Sequence, residues 1–183
     1  MRQVGVLAPL LCGLILSCSP AAQAEVKELA VGGYSIEIEV LLPAAPEAVY
    51  DAATGDISGW WDHSVSGHPK KMYIEAKPGG GFYEIFNDSG DGVLHATVNY
   101  AERGKRLRFT GPLGFGGRAL DLVTTYDLKP DGKGTRMHVT CNSVGQISAQ
   151  DAKAIDMVWQ HFIGERLKGY IESGDYLKKS KAQ

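Results

Sequence analysis

At 183 residues, 44% of them hydrophobic, the chain can bury one substantial core, and a second domain is not expected. A formal net charge of −2 offers no basic field to a phosphate backbone and excludes nucleic acid as a partner. The segment that comes first stands apart from that domain: Arg2, an apolar run from Val4 to Leu16 and then Ala22-Gln23-Ala24 read as an export signal ending in a small-residue cleavage site. The run is too short for a comfortable membrane span, so no transmembrane segment is expected in the mature chain. Cleavage after Ala24 removes residues 1–24 and leaves a periplasmic or secreted protein starting at Glu25. Without Arg2 the basic count falls from 19 to 18 against 21 acids, a net charge of −3.

A second reading of the leader stays open. Leu14-Ile15-Leu16-Ser17-Cys18 loosely resembles the signature at which bacterial lipoproteins are cut and lipidated, and would anchor the chain to a membrane surface through Cys18. In the first reading Cys12 and Cys18 leave with the leader, so the mature chain keeps Cys141 and forms no internal disulfide. Alternation in Met137-His138-Val139-Thr140-Cys141 puts this thiol inward as a small core residue, with His138 on the solvent side.

Ser35 to Leu42 alternates apolar and polar residues and is stopped by Pro43, which predicts a first strand with one buried face. Ala44 to Ala53, with Pro46 near its start, predicts a short helix, and Asp56 to Trp61 a further helical turn before a loop from Asp62 to Pro69. Six strand-length segments follow, 71–76, 81–86, 92–101, 105–110, 119–128 and 135–142. They are separated by turns such as Pro78-Gly79-Gly80, Asp88-Ser89-Gly90 and Pro130-Asp131-Gly132. Leu107 and Phe109 share one face, as do Leu120, Leu122, Thr124, Tyr126 and Leu128. In 81–86 the pattern is ambiguous, because Phe82, Glu84 and Phe86 oppose Tyr83 and Ile85.

From Ser148 to Gly174 the period changes. Ile155, Val158, Trp159, Phe162, Ile163, Leu167, Tyr170 and Ile171 recur at three and four, the stripe of one long amphipathic helix. Ser148 with Asp151 makes a near capping box, Gly174 is placed to end the helix, and a polar tail, 177–183, follows. The expected fold is α+β: about seven antiparallel strands in a curved sheet, two short helices, and a long C-terminal helix across an internal cavity, all within residues 25–176. A concave sheet closed by one helix leaves space for a ligand between them.

These elements, with Pro46-Glu47-Ala48-Val49-Tyr50, Trp60-Trp61, Pro78-Gly79-Gly80-Gly81-Phe82, Gly132 to Met137 and Val158-Trp159, resemble the START-like helix-grip (SRPBCC) superfamily, which includes polyketide cyclases and plant pollen allergens. The branch it looks like is the one related to the C-terminal domain of the heat-shock-protein ATPase activator. The likeness runs from about Tyr34 to Gly174, and the leader is its departure. The resemblance implies a small hydrophobic or amphipathic molecule as partner, no cofactor, and a monomer. Trp60, Trp61, Phe82, Phe109, Leu113, Phe115, Tyr126, Trp159 and Phe162 are the expected ligand-binding wall and lid. For the two tryptophans the plainer alternative is that one plugs the core while the other covers it.

His63, Glu84 and Tyr126 are candidates to orient the ligand. Glu84 and His63 are also the candidate acid or base of a cofactor-independent cyclase, dehydratase or hydrolase, while an outward Glu84 remains open. A third reading is a protein-interaction module using the outer sheet face or the long helix. His63, His68, His95, His138 and His161 form no close-spaced ligand motif, and no metal is assigned. The glycine-rich stretch Gly111 to Gly117 lacks the lysine and following helix of a phosphate cradle and is expected as a hairpin loop at the cavity mouth, with Leu113 and Phe115 at its tip.

Overall fold

The computed structural model describes residues 26–179. The leader, both of its readings, and the last four residues of the tail lie outside the described residues. Eight strands form one open antiparallel sheet in the order β1-β8-β7-β6-β5-β4-β3-β2. They are β1 (Gly32–Leu42), β2 (Gly55–Asp56), β3 (Lys71–Ile74), β4 (Gly81–Ile85), β5 (Gly92–Glu102), β6 (Arg106–Gly111), β7 (Leu120–Asp131) and β8 (Gly134–Gly145). The strand the sequence did not show is β2. Its two residues carry no alternation to read, and it exists because Gly55 and Asp56 pair with Ile74 and Tyr73 at the end of the sheet. Residues 57–61 make the expected single helical turn, closed by Trp61 N–H donating to the Ile57 carbonyl at 2.9 Å.

Helix α1 (Pro46–Ala53) starts on Pro46, whose missing N–H is harmless at a helix start, and packs against β7 and β8. The long C-terminal helix begins as α2 (Ala149–Trp159), continues as a π-helical segment, Gln160–Leu167, and returns to α form as α3 (Lys168–Glu172). Ser148 and Asp151 complete the capping box in both directions. Gly174, at φ 77°, adopts the left-handed conformation that lets the chain leave the helix. The beginning of the tail differs from the expected irregular segment: Tyr176–Lys179 form one further turn, α4.

The core lies between the concave sheet face and this helix. Leu107 and Phe109 on β6, Leu122, Tyr126 and Leu128 on β7, and Met137, Val139 and Cys141 on β8 are all buried, as their alternation requires. Facing them from the helix are Ile155, Trp159, Phe162, Ile163, Leu167 and Ile171. The turn Pro78-Gly79-Gly80 needs its glycines. Gly79 sits at φ 79°, and a Cβ on Gly80 would run into the Glu75 carbonyl.

Candidate functional site

Between the helix and the β4–β7 half of the sheet lies a cavity of about 410 Å³. Residues after the α1 turn, Trp61, His63, Ser64 and Val65, form one side. Phe82, His95 and Leu122 form the sheet side, and Leu113, Gly114 and Phe115 of the β6–β7 connection close one end. The helix contributes Ala154, Ile155, Val158, Trp159 and Phe162. Polar side chains are confined to His63, Ser64 and His95, so the walls select for apolar surface and leave a few directional contacts.

Of the residues expected at the wall, Trp61, Phe82, Leu113, Phe115, Trp159 and Phe162 line this space, and so does His63. Trp60, Phe109 and Tyr126 do not. Trp60 is fully buried and its indole N–H donates to the Ala52 carbonyl at 3.0 Å, which fixes it as a core plug under α1. Trp61 turns the other way. It stacks on Phe162 at 3.8 Å and meets Phe82 edge-on at 5.0 Å, so the pair divides into a plug and a cover. Phe109 and Tyr126 stand in the layer behind, packed edge to face at 5.5 Å. The Tyr126 hydroxyl is buried without a hydrogen-bond partner among the described residues, and burial pushes it up from the ordinary tyrosine range.

Glu84 points inward and is completely buried, so the outward alternative is corrected. Both of its carboxylate oxygens are engaged. Oε1 accepts from Ser66 N–H at 2.8 Å and from the Ser66 hydroxyl at 2.7 Å, while Oε2 accepts from Val65 N–H at 2.9 Å and faces His95 Nε2 at 3.0 Å. Burial pushes the carboxyl up, but these four bonds outweigh it and hold the group below the ordinary glutamate range. An ionised carboxylate with both oxygens occupied is a poor free base. It is a latch that fastens the loop of residues 62–69 to the sheet.

His95 is the residue the sequence reading missed. Ala96 pairs with Phe82 and Leu94 with Tyr83, so His95 is the extra residue of a β-bulge and joins Ala96 on the buried side. Strict alternation cannot place both inward. Its Nε2 meets Glu84 and its Nδ1 lies 3.3 Å from the Leu113 carbonyl, which links the floor of the cavity to the end wall. Leu113 sits at φ 48°, a conformation unfavourable for a bulky residue, in the short 3-10 turn Leu113–Phe115. The glycine-rich connection is thus at the cavity end, as expected.

At the outer edge the fold brings Asp62 and His63 beside His161 and Arg166 of the π-helical segment. Asp62 Oδ1 lies 2.8 Å from His63 Nδ1, Oδ2 lies 2.9 Å from His161 Nε2, and Arg166 Nε stands 3.0 Å from the same Oδ2. Partial burial pushes the Asp62 carboxyl up. Hydrogen bonds from His161 and His63, with the Arg166 charge, outweigh that and hold it below the ordinary range. Bonds to Asp62 and Glu165 raise His161. Cys141 is buried and its thiol pushed up by that burial, which suits an inert core residue.

Residues 43–172 match the family described as "Activator of Hsp90 ATPase homolog 1-like protein". A search of curated protein sequences gives no match. Among solved structures, the chain is similar to an uncharacterized protein from Rhizobium leguminosarum at 17% identity and TM-score 0.63, covering 80% of this chain and 99% of that one. Ara h 8.0201 is similar at 16% identity and TM-score 0.58, over 78% of this chain and 99% of its own. DynU16, a protein in the dynemicin biosynthetic locus, is similar at 23% identity and TM-score 0.54, over 76% of this chain and 48% of its own. At these identities the likeness is one of fold: the START-like helix-grip architecture, which is compatible with small-ligand binding.

Proposed function

The chain belongs to the Activator of Hsp90 ATPase homolog 1-like family, and from that premise we propose that it binds a small hydrophobic or amphipathic molecule, non-covalently, between sheet and helix. The observation that carries this reading is the cavity of about 410 Å³, apolar over most of its wall and within the roughly 300–1,000 Å³ typical of small-molecule sites. Apolar burial against Trp61, Phe82, Phe115, Trp159 and Phe162 supplies the driving force, and His95, His63 and Ser64 orient the polar end. The binding wall proposed here therefore keeps the lining members of the expected set and adds His95, Leu122, Ile155 and Val158.

Export completes the proposal: the leader read in the sequence supports a periplasmic or secreted protein beginning at Glu25, with lipidation at Cys18 as the alternative. An intact mass of the protein recovered from its producing cell decides between them. No described helix is long and apolar enough to cross a membrane.

For binding, the test is titration with the apolar fluorophore N-phenyl-1-naphthylamine. Saturable fluorescence enhancement with one site per chain, lost when Val158 is replaced by Trp to fill the space, is expected. Enhancement that Val158→Trp leaves unchanged would show that the fluorophore is held elsewhere and refute the cavity reading. A second reading, cofactor-independent acid–base catalysis in the same cavity, is favoured by one observation, the imidazole of His95 in the wall. It shifts the candidate base from Glu84, both of whose oxygens are held by short bonds, to His95, whose Nδ1 becomes a base once it releases the longer 3.3 Å contact with the Leu113 carbonyl. This reading predicts that His95→Gln lowers turnover of a substrate more than it lowers affinity.

A further inference from the structure

Asp62, His63 and His161 each offer one ligating atom, and these atoms lie within 4.8 Å of one another. They meet because Trp61, stacked on Phe162, fixes the chain just before Asp62 against the residue just after His161. The π-helical segment assists. Its wider turn, with i→i+5 bonding, lets Glu165 meet His161 while Arg166 reaches Asp62.

The environment of His161 is unusual. Nδ1 lies 3.0 Å from Glu165 Oε2 and Nε2 lies 2.9 Å from Asp62 Oδ2, so each ring nitrogen faces a carboxylate oxygen. A neutral imidazole can donate to one of the two. With Nδ1–H given to Glu165, the Nε2 lone pair and the Asp62 oxygens face one another, and a cation must stand between them: a proton on the ring, or a metal ion. A carboxylate holding the far nitrogen of a histidine is the arrangement that orients metal-ligating imidazoles.

We infer that this rim binds a divalent transition metal of the zinc class through Asp62 Oδ1, His63 Nδ1 and His161 Nε2. Two imidazole nitrogens and one carboxylate oxygen suit zinc and its neighbours, whereas calcium and magnesium take oxygen sets. Tetrahedral bonds of ~2.0–2.1 Å place ligand atoms roughly 3.3 Å apart. Asp62 Oδ1 now lies 2.8 Å from His63 Nδ1 and 3.1 Å from His161 Nε2. Small rotations open these pairs and bring the histidines together. Asp62 and His63 are exposed, which gives the ion an entry path, and His63 also lines the cavity, which sets the ion at its mouth. Arg166 opposes binding by holding Asp62 Oδ2, and its removal should tighten the site.

The test is isothermal titration of the untagged protein with zinc chloride, read independently of any cavity ligand. One zinc per chain is expected. Asp62→Asn, His63→Gln and His161→Gln each weaken it at least roughly tenfold, Glu165→Gln weakens it ~10–100-fold as loss of an orienting carboxylate does, and Arg166→Gln strengthens it. Circular dichroism confirms that each variant is folded. In the unmutated chain, the ring resonances of His63 and His161 shift on zinc addition while those of His68 and His138 do not. No saturable binding, or binding that the Asp62, His63 and His161 variants leave intact, overturns the inference.

Discussion

Replacing Glu84 by Gln probes the latch between loop and sheet. The substitution keeps the shape but removes the charge and turns one acceptor into a donor. If the new amide oxygen faces Ser66, the NH₂ group can donate to a His95 ring that has changed tautomer, and Val65 N–H loses its partner. If it faces the other way, Ser66 N–H is orphaned instead. One unsatisfied backbone donor costs ~1–3 kcal/mol, and the surviving bonds fall from the ~1.5–3 kcal/mol of charged pairs toward the ~0.5–1.5 kcal/mol of neutral ones. Because Val65 and Ser66 are exposed and can recruit water, a destabilisation of about 3 kcal/mol is expected at neutral pH. For a domain of this size that lowers Tm by roughly 6–12 °C. Urea denaturation followed by tryptophan fluorescence measures it.

The pH dependence supplies the sharper control on that substitution. Glu84 is held below its ordinary range in the folded state, so its contribution is fully present above the unfolded value of ~4.3 and disappears as pH falls through the depressed folded value. The gap between parent and Glu84→Gln should therefore be widest near neutrality and close in acid, where the parent too carries an uncharged side chain. A gap below about 0.5 kcal/mol at neutral pH, or one that widens on acidification, would refute the latch.

Two further substitutions separate stability from binding. Trp60→Ala, which empties a core position, should destabilise by about 3–5 kcal/mol, while Trp61→Ala should leave stability closer to the parent and weaken N-phenyl-1-naphthylamine binding by roughly tenfold. Equal effects of the two on Tm would contradict the division into plug and cover. Leu113→Gly removes a side chain from the cavity end and relieves a left-handed backbone that disfavours leucine by ~1–2 kcal/mol. Tm should hold or rise while fluorophore affinity drops, and a fall in Tm of several degrees would show that packing by Leu113 outweighs its strain.

The sheet and the long helix were legible because each has a period. Alternation in Leu120 to Leu128 and the three-four spacing from Ile155 to Ile171 report directly which side is buried. What escaped has no period. Gly55 and Asp56 become a strand through a pairing partner, and His95 turns inward because a bulge breaks the two-residue rhythm. Trp60 and Trp61 are adjacent, so composition could not say which would plug and which would cover. Asp62 and His161 are 99 residues apart, and they become neighbours through tertiary contacts such as the stacking of Trp61 on Phe162. For Glu84 the ambiguity of 81–86 was real, since the donors that make its burial tolerable come from a loop whose path the sequence does not encode locally.

The pairing of β1 with β8 sets an order of events for the growing chain. Ile36 lies opposite Cys141, so the first strand leaves the ribosome 105 residues ahead of the one neighbour it has in the sheet among the described residues. At synthesis rates of ~5–20 residues per second it waits roughly 5–20 s. In that interval β3 to β7 can already zip as local hairpins, whereas β1 must stay solvated with its apolar side bare. Glu37 and Glu39, alternating with Ile36 and Ile38, put negative charge along this waiting strand and discourage it from pairing with another chain. The two glutamates thus protect an unfinished protein as much as they decorate the finished one.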